Sequence, residues 1–422
     1  MPDVAYGDTP AHARNHRVVV TGLGAVSALG WGVLPLWEAL LGGRSGLGPF
    51  SRIDHSRQRT HIAGQVPEGP SRRLGLPRGF SRLSVAEQFA LFATVEAVGD
   101  AGLPQCFSAL EAGVFFGTST GGLLESERYL DQVWSRKSNG RGIGLMAGHQ
   151  LNAPGDTVAR HLRVAGPVET ISSACASAAI AVTVAFRAVR EGGVEVAITG
   201  GADCLSTTTY SGFNSLRLVD DHPCRPFGAN RGGLSLGEGG AVLVLERAER
   251  ALTRGARIRA EVLGGGVSCD ASHMTAPHPE GEGAARALLV ALRDAGIGPE
   301  AVDFINAHGT GTFLSDASEC AAFARVFGER VRTLPVSATK SIVGHLLGSA
   351  GAIEAVATIL CLEAGVAHAS AGLGRVDPAL AVDLVDCAPR RLEAGSTGVS
   401  TSLGFGGANA ALVFARWASG LA

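Results

Sequence analysis

Short apolar runs and helix-spaced apolar positions alternate along the chain. Arg17 to Thr21 (Arg-Val-Val-Val-Thr) reads as a buried strand closed by Gly22-Leu-Gly24, and Leu34 to Leu41 reads as a helix. Gly42 to Gly79 is rich in Arg, Gly and Pro, which predicts surface connections. Ser84 to Gly99 has helical spacing, and Ala112 to Gly117, Val194 to Gly200 and Ala241 to Glu246 read as further strands. After Arg254-Gly255 the pattern restarts: strand Ile258 to Gly264, helix Gly283 to Ala295, strand Ala301 to Ala307, helix Asp316 to Phe327, strand Thr333 to Ser337, helix Gly348 to Leu362 and strand Ala410 to Ala415. Strands alternating with helices predict an α/β fold on a mainly parallel sheet.

Two stretches echo one another. Ser235-Leu-Gly-Glu-Gly-Gly-Ala241 and Ser402-Leu-Gly-Phe-Gly-Gly-Ala408 each lead into a strand. The small-residue helix after Cys175 has its counterpart in the one after His345. The echo predicts duplication of one α/β unit, with helices packed between two sheets and the halves spanning residues 1–250 and 251–422.

Composition narrows the class. Of 422 residues, 46% are hydrophobic, enough for a large core, and the net charge of −2 gives no global pull towards nucleic acid or membrane. Glycine, at 59 residues, is about twice its usual share and implies many tight turns and close approaches. The eight cysteines show neither a CxxC pair nor metal-type spacing, so reduced thiols in a cytoplasmic protein are expected. Met1 to His16 lacks the apolar core of a signal peptide, and the longest apolar run, Ala174 to Phe186, falls short of the ~20 residues that span a bilayer.

Candidate chemistry centres on Thr170-Ile-Ser-Ser-Ala-Cys175-Ala-Ser-Ala-Ala179, entered by an extended run and left by a helical one. A cysteine at that turn faces free N–H groups of a helix start, which lowers a thiol pKa by about one unit and predicts appreciable thiolate. Three other constellations stand out: Asn306-Ala-His308-Gly-Thr310-Gly-Thr312 after an apolar strand, Lys340-Ser-Ile-Val-Gly-His345, and Gly404-Phe405-Gly406-Gly407. Each also has a structural explanation on its own, as a core histidine or a tight turn. The GxG at Gly22 does not complete a dinucleotide fingerprint.

Together these motifs resemble an elongating β-ketoacyl-acyl-carrier-protein synthase of the thiolase superfamily, in the fatty-acid and type II polyketide branch, from about Arg17 to the C-terminus. The resemblance rests on Val-Val-Val-Thr-Gly-Leu-Gly, Ser-Ala-Cys175-Ala-Ser, Asn-Ala-His308-Gly-Thr-Gly-Thr, Lys340-Ser-x-x-Gly-His345 and Gly-Phe405-Gly-Gly, with Arg225-Pro-Phe, Gly237-Glu-Gly and His273-Met-Thr in support. It implies a thiolase-like duplicated α/β/α/β/α layered fold. It also implies decarboxylative condensation of malonyl-acyl-carrier protein with an acyl chain held on Cys175. His308 and His345 would stabilise the malonyl enolate, and the N–H groups of Cys175 and Phe405 the tetrahedral oxyanion, with Phe405 also a gate between the two steps. Lys340 would hold the charge pattern, with Glu319 and Glu354 near it. Thr310, Thr312, Thr120 and Gly406 would contact substrate.

No metal or bound cofactor is implied, since the substrates ride on the 4'-phosphopantetheine of acyl carrier protein. Arg217, Arg136 and Lys137, with Arg72, Arg73, Arg78, Arg82 and Arg141, are basic positions for docking that acidic partner. A homodimer, or a heterodimer with a cysteine-less chain-length partner, is expected through a strand over Val194 to Thr199. A thiolase would carry a second cysteine at Phe405, and an acyl-CoA-using initiator an asparagine at His345. The alternative is a weak or inactive scaffold or chain-length subunit, against which stand the four residues Cys175, His308, His345 and Lys340. Thr120, Ala147-Gly-His149-Gln150 and Phe313 depart from the fatty-acid enzymes and favour specialised polyketide or polyene elongation over primary fatty-acid synthesis.

Overall fold

The computed structural model describes residues 16–70, 75–107, 111–135, 141–372, 374–393 and 396–417. Ten strands and six helices form its frame, and they fall into two copies of one β-α-β-α-β-α-β-β unit. The first contains β1 (Val18–Ser27), α1 (Val85–Asp100), β2 (Ala112–Gly117), α2 (Ala153–Leu162), β3 (Val168–Ile171), α3 (Ser177–Arg190), β4 (Val196–Asp203) and β5 (Gly239–Arg247). The second contains β6 (Ala260–Cys269), α4 (Glu282–Ala295), β7 (Phe304–Asn306), α5 (Phe313–Phe327), β8 (Pro335–Ser337), α6 (Ala350–Ala364), β9 (Thr397–Leu403) and β10 (Ala408–Arg416).

The strand orders are β3-β2-β4-β5-β1 and β8-β7-β9-β10-β6, the same permutation in both units. In each, the three outer strands run parallel and the last two pairings are antiparallel. The predicted duplication is therefore present, while the mainly parallel sheet is corrected to a mixed one. The two halves also join into one hydrogen-bonded sheet, because β1 and β6 pair antiparallel from Val18↔Val262 to Val20↔Ala260.

Between the halves lie α3 and α6, which pack on each other and on strands of both units. Ala178, Ala179 and Val182 of α3 share one core with Ala352, Ile353 and Val356 of α6 and with Leu243 and Leu412. Small side chains let the two helices lie close together. Helices α1 and α2 cover the outside of the first half, α4 and α5 the outside of the second. Close packing there depends on paired glycines. A Cβ at Gly22 or Gly24 of β1 would lie 2.0 or 1.8 Å from carbonyl oxygens of α1, and one at Gly264 or Gly266 of β6 lies 2.6 or 2.1 Å from those of α4. These glycines do not close the first strand; β1 runs through them to Ser27.

Further corrections follow from side-chain chemistry. The Gly42–Gly79 stretch carries core residues: Thr60 is buried against Tyr210 and Asn214, and Arg52 pairs with buried Glu238 at 2.6 Å. Strand β9 escaped the hydropathy reading because Thr-Gly-Val-Ser-Thr-Ser-Leu looks polar, yet every residue is buried. Val194 to Thr199 is not an edge, since β4 is paired on both sides by β2 and β5. The edge of the first half is β3, where Val168 and Glu169 are exposed. Among the described residues, Leu347–Ala364 is the one helical stretch long and apolar enough to cross a membrane, and 89% of it is buried inside the fold.

Candidate active site

Cys175 occupies the predicted turn between β3 and α3. Ala174, just before it, has φ +46°, a left-handed conformation that costs an alanine about 1–2 kcal/mol. Ser177 cinches the turn: its Oγ accepts from Ser173 N–H at 2.8 Å and donates to the Ala174 carbonyl at 2.6 Å. The thiol is 6% exposed. Burial pushes it up to about 11, against the pull of the Lys340 charge and the Phe405 N–H aimed at the sulfur. Burial thus works against the resting thiolate that the helix start alone predicts.

His308 leaves the carboxyl end of β7. Glu319 of α5 fixes its backbone, accepting from the N–H groups of His308 at 2.8 Å and Gly309 at 2.9 Å, and from Thr401 Oγ at 2.7 Å. Lys340, 1% exposed, places Nζ 3.0 Å from His308 Nδ1, donates to the His308 carbonyl at 2.7 Å and pairs with Glu354 of α6. His345 accepts from Leu347 N–H at Nδ1, 3.1 Å away, and Leu347 adopts φ +55°. The two imidazoles stand perpendicular, at 88° with centroids 5.4 Å apart.

Both histidines are held well below the usual imidazole range, by burial first and by the Lys340 charge second, so both are neutral. In each ring Nδ1 faces a donor, which assigns the proton to Nε2. The site therefore holds two neutral N–H donors. Burial also raises Glu354 to about 7 against the attraction of Lys340, and raises Glu319.

Cys175, His308, His345, Thr310, Thr312 and Phe405 line one cavity of about 280 Å³. Phe405 stacks on Phe213 at 5.4 Å and 24°. Gly406, at φ +79°, donates its N–H to Met274 O at 2.7 Å. It shapes the turn but is not among the cavity residues. Gly404 passes so close to the nucleophile turn that a Cβ there would lie 3.2 Å from Cys175 N.

Thr120 is also absent from the cavity, because its hydroxyl donates to Asp203 at 2.8 Å. Glu319 supports the His308 backbone, and Glu354 alone pairs with Lys340. Arg217 lines the cavity, Arg78 and Arg82 are exposed, and Arg72, Arg73, Arg136 and Lys137 lie outside the described residues, as does the Arg141 side chain. Sequence reading missed Phe213, Leu347 and Asp203. Asp203 gathers the hydroxyls of Thr118, Ser119 and Thr120 and the Gly348 N–H, a long-range convergence with no local signature.

Residues 15–251 match the family model for the β-ketoacyl synthase N-terminal domain and residues 259–373 that for the C-terminal domain. The chain is 38% identical over 419 residues to 3-oxoacyl-[acyl-carrier-protein] synthase 2 of Synechocystis sp., covering 96% of this chain and all of the relative. Its fold superposes on a solved structure titled the ishigamide ketosynthase/chain length factor with TM-score 0.89 and 33% identity, covering 96% of this chain and all of that one. A second structure, titled a type II PKS acyl-carrier protein in complex with its ketosynthase bound to the hexaketide, aligns with TM-score 0.86 and 29% identity over 96% of this chain and all of that one.

Proposed function

The chain belongs to the β-ketoacyl synthase family, and on that premise we propose that it condenses malonyl-acyl-carrier protein with an acyl chain carried on Cys175. The carrying observation is the pair of neutral imidazoles, each with Nδ1 occupied, sharing a cavity with a cysteine.

In the first half-reaction Cys175 Sγ attacks the acyl thioester carbonyl, the bond to pantetheine sulfur breaks, and the thiol proton leaves with that sulfur. Malonyl thioester enters next. Its carboxylate carbon–carbon bond breaks, CO₂ departs, and the electron pair moves onto an enolate whose oxygen accepts from Nε2–H of His308 and His345. The enolate carbon then attacks the acyl-Cys175 carbonyl. The backbone N–H groups of Cys175 and Phe405 take the tetrahedral oxyanion, the bond to sulfur breaks, and the thiolate regains a proton from solvent. One such donor is worth on the order of 10²–10³ in rate. Lys340 and Glu354 fix the His308 tautomer, Glu319 holds its backbone, and Thr310 and Thr312 receive the arm of the thioester. Thr120 and Gly406 act from outside the cavity, by tying the turn at Asp203 and shaping the Phe405 loop.

The enzyme works in the cytoplasm and docks acyl carrier protein beside Arg217, with Arg136 and Lys137 as further basic positions. A second chain, identical or a cysteine-less chain-length partner, pairs along the β3 edge. The halves divide at residues 250 and 251. The neighbours' titles name a chain length factor and a hexaketide, and support specialised polyketide elongation. The alternative of an inactive chain-length subunit is disfavoured by the cysteine and the two tautomer-fixed histidines. The test is intact-protein mass of Cys175 after incubation with acyl-carrier protein, followed by malonyl-carrier protein. Acylation on Cys175 and a β-ketoacyl product are expected; a chain that never acylates there would overturn the reading.

A further inference from the structure

Phe313 opens α5 directly after Thr312 and lines the cavity, yet it is 58% exposed. A large aromatic left so open is held by what lies behind it. The Arg231 guanidinium sits 5.0 Å from the ring centroid, and Arg231 is itself buried. Its Nη1 donates to Asp377 at 2.7 Å and to the Gly228 carbonyl at 3.0 Å, and its Nε lies 3.6 Å from Asp316. A cation anchored under one face of a ring restrains the ring by cation–π attraction. The remaining surface of the ring is free to meet whatever enters the cavity. Leu314 and Leu216, 66% and 50% exposed, extend the apolar rim, and the hydroxyls of Thr310 and Thr312, 3.0 Å apart, lie on the same cavity wall.

We propose that Phe313 is a substrate-binding residue for the pantetheine arm of the thioester, supplying an apolar wall beside the Thr310–Thr312 hydroxyl pair. The inference rests on the condensing reading above. The arm is a linear chain of two amides with a gem-dimethyl group at one end, so it needs hydrogen-bonding groups and an apolar surface side by side. A ring already restrained by Arg231 loses little conformational freedom when the arm docks.

The experiment measures binding of a non-reactive amide analogue of malonyl-pantetheine by calorimetry, alongside condensation kinetics with carrier-borne and short pantetheine thioesters. Phe313→Ala is expected to weaken analogue binding and raise KM about tenfold for both donors, with the loss falling on KM rather than kcat. Phe313→Tyr, which keeps the ring, should retain binding, and Phe313→Leu serves if the alanine variant does not fold. A KM that rises with carrier protein alone assigns the ring to the carrier's own surface and overturns the proposal, as does unchanged analogue binding. If the wild-type protein bound the analogue through Phe313 but formed no product, the condensing reading would fail and this one would stand.

Discussion

Lys340 Nζ lies 3.0 Å from Nδ1 of His308. An ammonium has only protons to offer, so Nδ1 must accept and the imidazole proton is assigned to Nε2. Lys340→Met removes that constraint and leaves Glu354 buried without its cation. Decarboxylation of malonyl-carrier protein should fall about 100-fold, the scale of one misplaced donor. Release of labelled CO₂ measures it, and a rate within a factor of three of wild type would show that the tautomer does not depend on this contact.

The two half-reactions should come apart by mutation. Cys175→Gln removes the nucleophile while keeping a polar side chain of fair size. It should form neither acyl-enzyme nor ketoacyl product, and still release CO₂. His308→Ala should acylate at Cys175 while losing most decarboxylation, because one of the two enolate donors is gone. Loss of CO₂ release in the glutamine variant, with its fold intact by circular dichroism, would contradict this division of labour.

Asp316 carries a stability prediction with a definite sign. Burial raises it from 3.8 to about 7, even though it accepts from Phe227 N–H at 2.7 Å and Gly311 N–H at 3.0 Å. Between those values the native state holds a proton that the unfolded chain releases. Its contribution is therefore complete below about pH 4 and lost as pH rises through 7, on the order of 4 kcal/mol in all. Denaturant melts from pH 4 to 8 should show a shallower decline for Asp316→Asn than for wild type. Equal slopes would exclude Asp316 as the source.

Arg217 is exposed and lines the cavity, at the place proposed for carrier docking. Arg217→Glu should slow transacylation from carrier protein, increasingly so as salt is lowered, and leave a short pantetheine thioester nearly unaffected. Equal losses with both donors would place Arg217 in the chemistry of the site and not in docking.

What the sequence made legible was what short segments encode. The Cys175 turn, the two histidine motifs and Lys340 were readable because residue type and spacing stay together on the chain. The duplication was readable from two glycine-rich echoes, since both precede the last strand of their unit. Pairing partners were not readable in this way. Val194 to Thr199 is apolar because it is central, whereas the edge strand β3 offers exposed Val168 and Glu169. Strand β9 hides its burial behind hydroxyls such as Thr401, which Glu319 satisfies from a helix 82 residues earlier in the chain. The thiol is a case of the same kind. A helix start is local and visible, while the burial that pushes Cys175 to about 11 is made by the whole fold.

The shared layer of α3 and α6 carries a consequence for how the chain tolerates being cut. In α6, Ala350 to Leu362 is buried without a break, so the helix has almost no water-facing side. Half of that cover belongs to the other unit, through strands such as β4 and β5. A protease that nicked the connection at Arg254-Gly255 would leave two pieces still clasped along α3 and α6, co-eluting as one particle. Each piece made alone would bare an apolar helix face and aggregate. The chain is a tandem copy in its sequence, and a single indivisible body once folded.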